Sequence, residues 1–278
     1  EGADTCATAA DPSLLRARSP SLAASSTRVL AAWVAGPFID SCGVVSAAAP
    51  VLVNGASFNA NTRALTPASS AALALGVTHD AAAPAVVRVG ADRFVVAHAD
   101  GSELALSLVA VASDGSVTLL DTASHDLGGL YAGDVTLASV DAGQLLVAYR
   151  LGCGTQARVM VARATLDVTA GTLGDTLGTA HAVDTGTRAQ RRPSIAVREF
   201  PAGATIAWET VDSIRARQLD VTGQPIGTSF AAYTVAGTLG AGHFLHALPD
   251  SPAFGLVVSH TSEAGATALA SVELGCAL

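Results

Sequence analysis

Apolar and polar positions alternate along most of the chain in short runs, and the runs are separated by turns rich in Gly, Asp and Ser. One motif recurs within this pattern: an apolar run, a small residue, then an aromatic or a histidine. It reads Val29-Leu30-Ala31-Ala32-Trp33, Phe94-Val95-Val96-Ala97-His98, Leu145-Leu146-Val147-Ala148-Tyr149, Thr205-Ile206-Ala207-Trp208 and Leu256-Val257-Val258-Ser259-His260. The closing residues follow one another at steps of 65, 51, 59 and 52. Each copy is preceded by a shorter apolar strand, opened by proline at Pro20, Pro84 and Pro193, and by Asp134-Val135 and His243-Phe244 in the other two units. Proline suits the first residue of a strand, where no ladder donor is needed. Each copy is followed by a further alternating strand, over Leu104 to Val111, Ala157 to Ala164, Ile214 to Leu219 and Ala266 to Leu274 in units two to five. Turns such as Ser113-Asp114-Gly115 and Thr222-Gly223 then lead to a fourth, weaker strand. Period-two alternation between such turns is the signature of antiparallel hairpins.

Four antiparallel strands repeated about every 40–50 residues make one blade of a β-propeller. Sandwiches do not repeat at this period, and the 3.6-residue spacing of helical solenoids is missing. The sequence therefore predicts an all-β, five-bladed propeller in a single domain. Its blades are expected over 18–80, 81–127, 128–189, 190–238 and 239–278. The fifth unit lacks a fourth strand before Leu278, so residues 1–17 are expected to supply it and close the ring.

Composition narrows the function classes. The net charge is −8, all fifteen basic residues are arginine, and Arg188, Arg191 and Arg192 form the one local basic cluster, expected in a loop. A nucleic-acid surface needs many clustered cations, so no nucleic-acid partner is expected. Half of the residues are apolar, yet aromatics make up only 4%. Seven Phe, three Tyr and two Trp are too few for the aromatic girdles of a membrane barrel. No run reaches the roughly 18 apolar residues of a spanning helix. The expectation is a soluble chain with no membrane insertion.

Four cysteines stand at Cys6, Cys42, Cys153 and Cys276. Cys276 ends the third strand of the last blade and Cys6 would begin its neighbour, so a Cys6–Cys276 bridge could stand in for the missing turn. Cys42 and Cys153 each lie just after the aromatic of their repeat, which leaves Cys42–Cys153 as the companion bridge. Three pairings are open on sequence alone. Sparse, even, loop-placed cysteines point to an oxidising compartment.

The fourth unit carries Pro193-Ser194-Ile195-Ala196, Ile206-Ala207-Trp208-Glu209, Ile214-Arg215-Ala216-Arg217-Gln218 and Gly223-Gln224-Pro225-Ile226-Gly227. In these residues it resembles a propeller-like repeat of large secreted bacterial proteins; the other units match it loosely. The resemblance implies an extracellular or cell-surface module of a bacterium, and it carries no catalytic residues with it.

The repeated closing residues Trp33, His98, Tyr149, Trp208 and His260 are the candidate ligand platforms. Packing between blades explains them more simply, because every blade needs it. His243 and His246, three apart on a strand, are sent to opposite faces. His79-Asp80 and His125-Asp126 recur in expected inter-blade loops, where Asp serves as a turn former. No metal-ligand motif is present, and no metal or cofactor is expected. A glycosidase needs two opposed carboxylates, and the expected inner strands offer only Asp134. No Gly-x-Ser-x-Gly elbow nominates a nucleophile. These observations lead to the expectation of a non-catalytic binding or scaffolding module engaging a protein partner. A carbohydrate-binding propeller is the alternative, and a glycoside hydrolase or other hydrolase ranks behind both.

Overall fold

The computed structural model describes residues 17–35, 44–80, 84–175, 177–186, 188–198, 202–234, 237–248, 251, 253–262 and 267–275. They form five antiparallel sheets, the five blades of a β-propeller. Blade 1 contains β1 (Ala17–Ala24), β2 (Arg28–Ala35), β3 (Val44–Asn59), β4 (Ala64–Pro67) and β5 (Leu73–Asp80). Blade 2 contains β6 (Ala85–Arg88), β7 (Arg93–Asp100), β8 (Glu103–Val111) and β9 (Val117–Asp126). In blade 3 these are β10 (Ala132–Asp141), β11 (Gln144–Leu151), β12 (Arg158–Asp167), β13 (Thr172–Leu173) and β14 (His181–Ala182). Blade 4 follows with β15 (Arg191–Arg198), β16 (Gly203–Glu209), β17 (Ser213–Leu219) and β18 (Pro225–Thr234). Blade 5 has β19 (Gly237–Ala247), β20 (Phe254–Ser262) and β21 (Thr267–Leu274) among the described residues.

Strand order within every blade follows chain order, as hairpin connections require. The outer strand is broken in two blades: β4 and β5 pair with different stretches of β3, and β13 and β14 with different stretches of β12. The first strands β1, β6, β10, β15 and β19 contact one another in succession, which makes them the innermost layer.

The second strands show why the apolar runs are so nearly continuous. Both β7 and β11 are buried at six successive positions, because each lies between two other blades. Alternate residues serve opposite neighbours. Phe94 and Val96 pack with Leu30 and Ala32 of blade 1, whereas Val95 and Ala97 pack with Val147 and Tyr149 of blade 3. Leu146 and Ala148 turn to Ile206 and Trp208 of blade 4, and Ala207 turns to Leu256 and Val258 of blade 5. Each Leu- or Val-sized side chain buried in this way contributes about 1.5–3 kcal/mol.

Small residues set the blade spacing at one contact in particular. Gly55 of β3 faces the Gly115 carbonyl in the β8–β9 turn of blade 2, and a β-carbon at Gly55 would collide with it. Gly115 itself has φ +86°, a conformation that glycine adopts without penalty.

Two expected features are placed differently. His79-Asp80 and His125-Asp126 end strands β5 and β9 and are not in loops. Arg191 and Arg192 open β15, whereas Arg188 lies in a loop and pairs with Asp212 at 2.7 Å. The expectations for residues 1–16, Cys6, Cys42 and Cys276 fall outside the described residues. Cys153 is disulfide-bonded.

Candidate active site at the mouth of the propeller

The closing residues of the repeat all lie on one side of their strands. His98 shares the face of Phe94 and Val96 toward blade 1, and a β-carbon at Gly76 of β5 would lie 3.3 Å from its Nε2. Tyr149 packs against blade 2 and Trp208 against blade 3. His260 meets Tyr233 of blade 4, its Nδ1 3.2 Å from the tyrosine hydroxyl. Trp33, half-buried, lies on the face of β2 opposite Leu30 and Ala32. His98, Tyr149, Trp208 and His260 therefore each face the preceding blade. His98 is 5% exposed, Tyr149 2% and Trp208 0%, so none of these three is an open platform on the surface. Burial lowers the pKa of His98, against the opposing effects of Asp100 and a hydrogen bond with the Val77 backbone. Burial likewise pushes the Tyr149 hydroxyl up.

The residue after each closing aromatic is different in kind. It is Val34 in blade 1 and Ala99 in blade 2, but Arg150 in blade 3 and Glu209 in blade 4. Each of these charged residues is met by a residue at the start of its own blade's first strand. Arg150 Nε donates to Asp134 Oδ2 at 2.8 Å, and Arg192 Nη1 reaches Glu209 Oε2 at 3.3 Å. The same two structural positions thus hold an acid–base pair in each blade, with the charges exchanged.

The backbone explains how the pairs form. Asp134 and Arg192 have φ of +49° and +45°, the left-handed region that few non-glycine residues occupy. Each sits in a register shift of its hairpin, between Gly133 and Thr136 and between Arg191 and Ser194. A bulge of this kind re-aims a side chain out of the regular alternation, here toward the end of the second strand.

The two pairs join into one network. The Arg192 backbone N–H donates to Asp134 Oδ2 at 3.2 Å, linking blades 3 and 4. Glu209 Oε1 lies 3.5 Å from His243 Nδ1 of blade 5. Arg150 is further fixed by donation from Nη1 to the Gly152 carbonyl at 2.8 Å, and by the Tyr131 ring 5.3 Å beneath its guanidinium. Arg150 and Glu209 are nearly buried and Asp134 is largely so, whereas the Arg192 side chain is half exposed. The network opens to solvent through Arg192.

His243 is the least expected member. It pairs with Val258, two residues before His260, just as Leu22, Leu137 and Ile195 pair two residues before their own aromatics. A histidine therefore fills a site that is aliphatic in blades 1, 3 and 4. This moves the expected alignment of the fifth inner strand by two residues, because the register shift between Leu239 and His243 hides the offset. The His243 side chain is fully buried and neither ring nitrogen has a hydrogen-bond partner. A buried histidine without a hydrogen bond costs stability, and the nearest acidic group to this one is the Glu209 carboxylate. The next residue, Phe244, is 63% exposed on the same inner strand. It stacks on His246 at a centroid distance of 5.8 Å.

Of the expected acidic positions, only Asp134 belongs to this site. Arg150 and Glu209 escape a search confined to inner strands, because they lie at the ends of second strands, whereas Arg192 and His243 lie on inner strands but are not acidic. The signal that finds Arg150 and Glu209 is the column after the repeated aromatic. Among the described residues, no group of three His, Cys, Asp or Glu side chains is placed to hold a metal. No helix of the structure is long and apolar enough to cross a membrane.

No family model matches the sequence, and no curated protein matches it. Solved structures share its fold. The α-L-arabinanase of Penicillium chrysogenum complexed with arabinobiose matches 94% of this chain and 81% of its own at 12% identity, with a TM-score of 0.50. A GH62 hydrolase in complex with xylotriose covers 93% and 91% at 11% identity, with a TM-score of 0.49. An engineered GH43 glycoside hydrolase with endo-xylanase and exo-arabinofuranosidase activity covers 92% of this chain at 14% identity, with a TM-score of 0.49. This chain spans 50% of the length of that enzyme. Two expectations are corrected here, those of a non-catalytic module and of a chain that is not an enzyme: the arabinanase that shares the fold is a glycoside hydrolase. The expected protein partner finds no support.

Proposed function

We propose that this propeller hydrolyses glycosidic bonds at the mouth formed by blades 3, 4 and 5. The observation that carries the reading is the convergence of Asp134 and Glu209, from adjacent blades, on Arg192. Glycoside hydrolysis needs one carboxyl group to protonate the leaving oxygen and a second to act as base or nucleophile. Arg192 holds both, Asp134 through its backbone and Glu209 through its guanidinium. Its side chain is 51% exposed, so an entering substrate can displace it from Glu209 without unfolding anything. His243 then remains beside Glu209 as a group able to share its proton. The exposed Phe244 ring offers an apolar surface to the C–H face of a sugar. The arabinobiose and xylotriose complexes of the similar structures support a glycan as the substrate class.

The test is hydrolysis of a panel of arabinan, xylan and aryl glycosides by the full chain. Asp134→Asn and Glu209→Gln should each lower kcat by about 10²–10⁴-fold, the usual contribution of a positioned acid or base. Full activity in either variant, or no hydrolysis of any substrate by the unsubstituted protein, defeats the reading.

The resemblance of blade 4 to a repeat of large secreted bacterial proteins and the bonded Cys153 support an extracellular or cell-surface location. The same reading has residues 1–17 completing blade 5, with bridges Cys6–Cys276 and Cys42–Cys153. Peptide mapping without reduction tests both pairings, and a Cys6–Cys42 peptide would refute them.

A further inference from the structure

Away from the mouth network, a cavity of about 490 Å³ lies between blades 2 and 3. That volume falls within the range of roughly 300–1,000 Å³ typical of small-molecule sites. His125 and Asp126, at the end of β9, line it from blade 2. Tyr149 of β11, Met160 of β12 and Asp175, after β13, line it from blade 3. The walls thus combine an aromatic ring and a thioether with a carboxylate on each side.

His125 is the observation that points to a ligand. It is 7% exposed, and its Nε2 is buried without a hydrogen-bond partner. Burial lowers its pKa, with Asp175 opposing, so the ring is neutral near pH 7 and holds one donor and one acceptor. The neighbouring polar groups are already used within the protein. Ser124 Oγ donates to Glu103 at 2.8 Å, and Asp126 Oδ1 accepts from the Gly128 N–H at 2.9 Å. Neither satisfies the histidine. Buried polar groups are otherwise nearly always paired, and a ligand hydroxyl entering the cavity supplies the missing partner.

The charge of the lining selects among ligands. Among the described residues that line the cavity, Asp126 and Asp175 are the ionisable ones besides His125 and Tyr149, and none is an arginine. Two carboxylates without a counter-cation repel an acidic sugar and accept hydrogen bonds from hydroxyl groups. We propose that this cavity is an accessory site for one unit of a neutral saccharide, set off the axis of the propeller. Holding a glycan there would keep the chain near the mouth, yet the binding does not depend on hydrolysis occurring.

Saturation-transfer NMR on the full chain tests this, with arabinobiose, xylotriose, cellobiose and lactose as neutral probes and sialyllactose as the acidic one. The Asp134→Asn, Glu209→Gln double variant serves as the background, so that no probe is consumed. At least one neutral probe should bind and sialyllactose should not. Ala180→Trp, which fills the cavity from its exposed rim, and Asp175→Asn should each weaken that binding at least tenfold while the circular dichroism stays unchanged. No neutral probe binding at millimolar concentration would overturn the proposal, as would undiminished binding in both variants. Placed in the otherwise unsubstituted chain, Ala180→Trp leaves the mouth network intact and should leave hydrolysis in place, so loss of hydrolysis and loss of binding separate the two sites.

Discussion

Arg150 and Glu209 occupy the same place in successive blades, each directly after the aromatic that closes its second strand, and they carry opposite charges. Asp134 and Arg192 answer them from equivalent bulges, at 2.8 and 3.3 Å. Two blades with the same charge pattern would put like charges side by side at this mouth. The exchange of acid and base lets the Arg192 backbone approach Asp134, and the repeat becomes one continuous network.

The blade 3 pair should matter for stability. Arg150 is only 6% exposed at its side chain and Asp134 17%, so removing the cation leaves a carboxylate in a poorly solvated place. Arg150→Met should destabilise the protein by about 2–4 kcal/mol, toward the lower end of the range for broken buried pairs. Urea unfolding measures it. An unchanged midpoint would show that the pair is solvated and contributes little.

The aromatic column should divide by burial. Trp208 is fully buried against blade 3, and Trp208→Ala should cost about 3–5 kcal/mol through the cavity it leaves. Trp33 is half-buried, and Trp33→Ala should cost clearly less. Equal losses in denaturant titrations would contradict the assignment of Trp208 to the blade interface.

Stability should fall on mild acidification. Burial holds His98 and His125 below the ordinary histidine value of 6.5, so the folded protein binds protons less readily than the unfolded chain. Their neutral forms favour folding above that pH. As pH drops below 6.5 toward the lowered folded values, protonation of the unfolded chain draws the equilibrium toward unfolding. The melting temperature should therefore decline between pH 7 and pH 5, before most carboxylates titrate. His98→Gln with His125→Gln should flatten that slope. A slope as steep in the double variant would assign the effect to other groups.

The approach of blades 1 and 2 should not tolerate a methyl group. A β-carbon at Gly55 meets the Gly115 carbonyl, which is backbone and cannot rotate away. Gly55→Ala should destabilise by about 1–3 kcal/mol, the usual cost of overpacking. At Gly101 nothing lies within 4 Å of the added carbon, so alanine there pays only for its φ of +60°. The larger midpoint shift should belong to Gly55.

The repeat itself was legible in the sequence, because the forces that shape a blade are local. Alternation, turn residues and a closing aromatic act within a few residues, so Val95 to His98 and Leu145 to Tyr149 announce their strands and their burial on both faces. Five copies of the pattern specify five blades. The mouth was not legible for an equally physical reason. Asp134 and Arg192 reach their partners only because each takes a left-handed backbone conformation inside a bulge, and nothing in their side chains requires it. His243 reads as a strand residue of no particular rank until its pairing with Val258 places it where the other blades carry Leu, Val or Ile. Arg150, Asp134, Arg192, Glu209 and His243 come from three units spread over more than a hundred residues. Local pattern decides what each blade is; only the closing of blades side by side decides which of their odd residues meet.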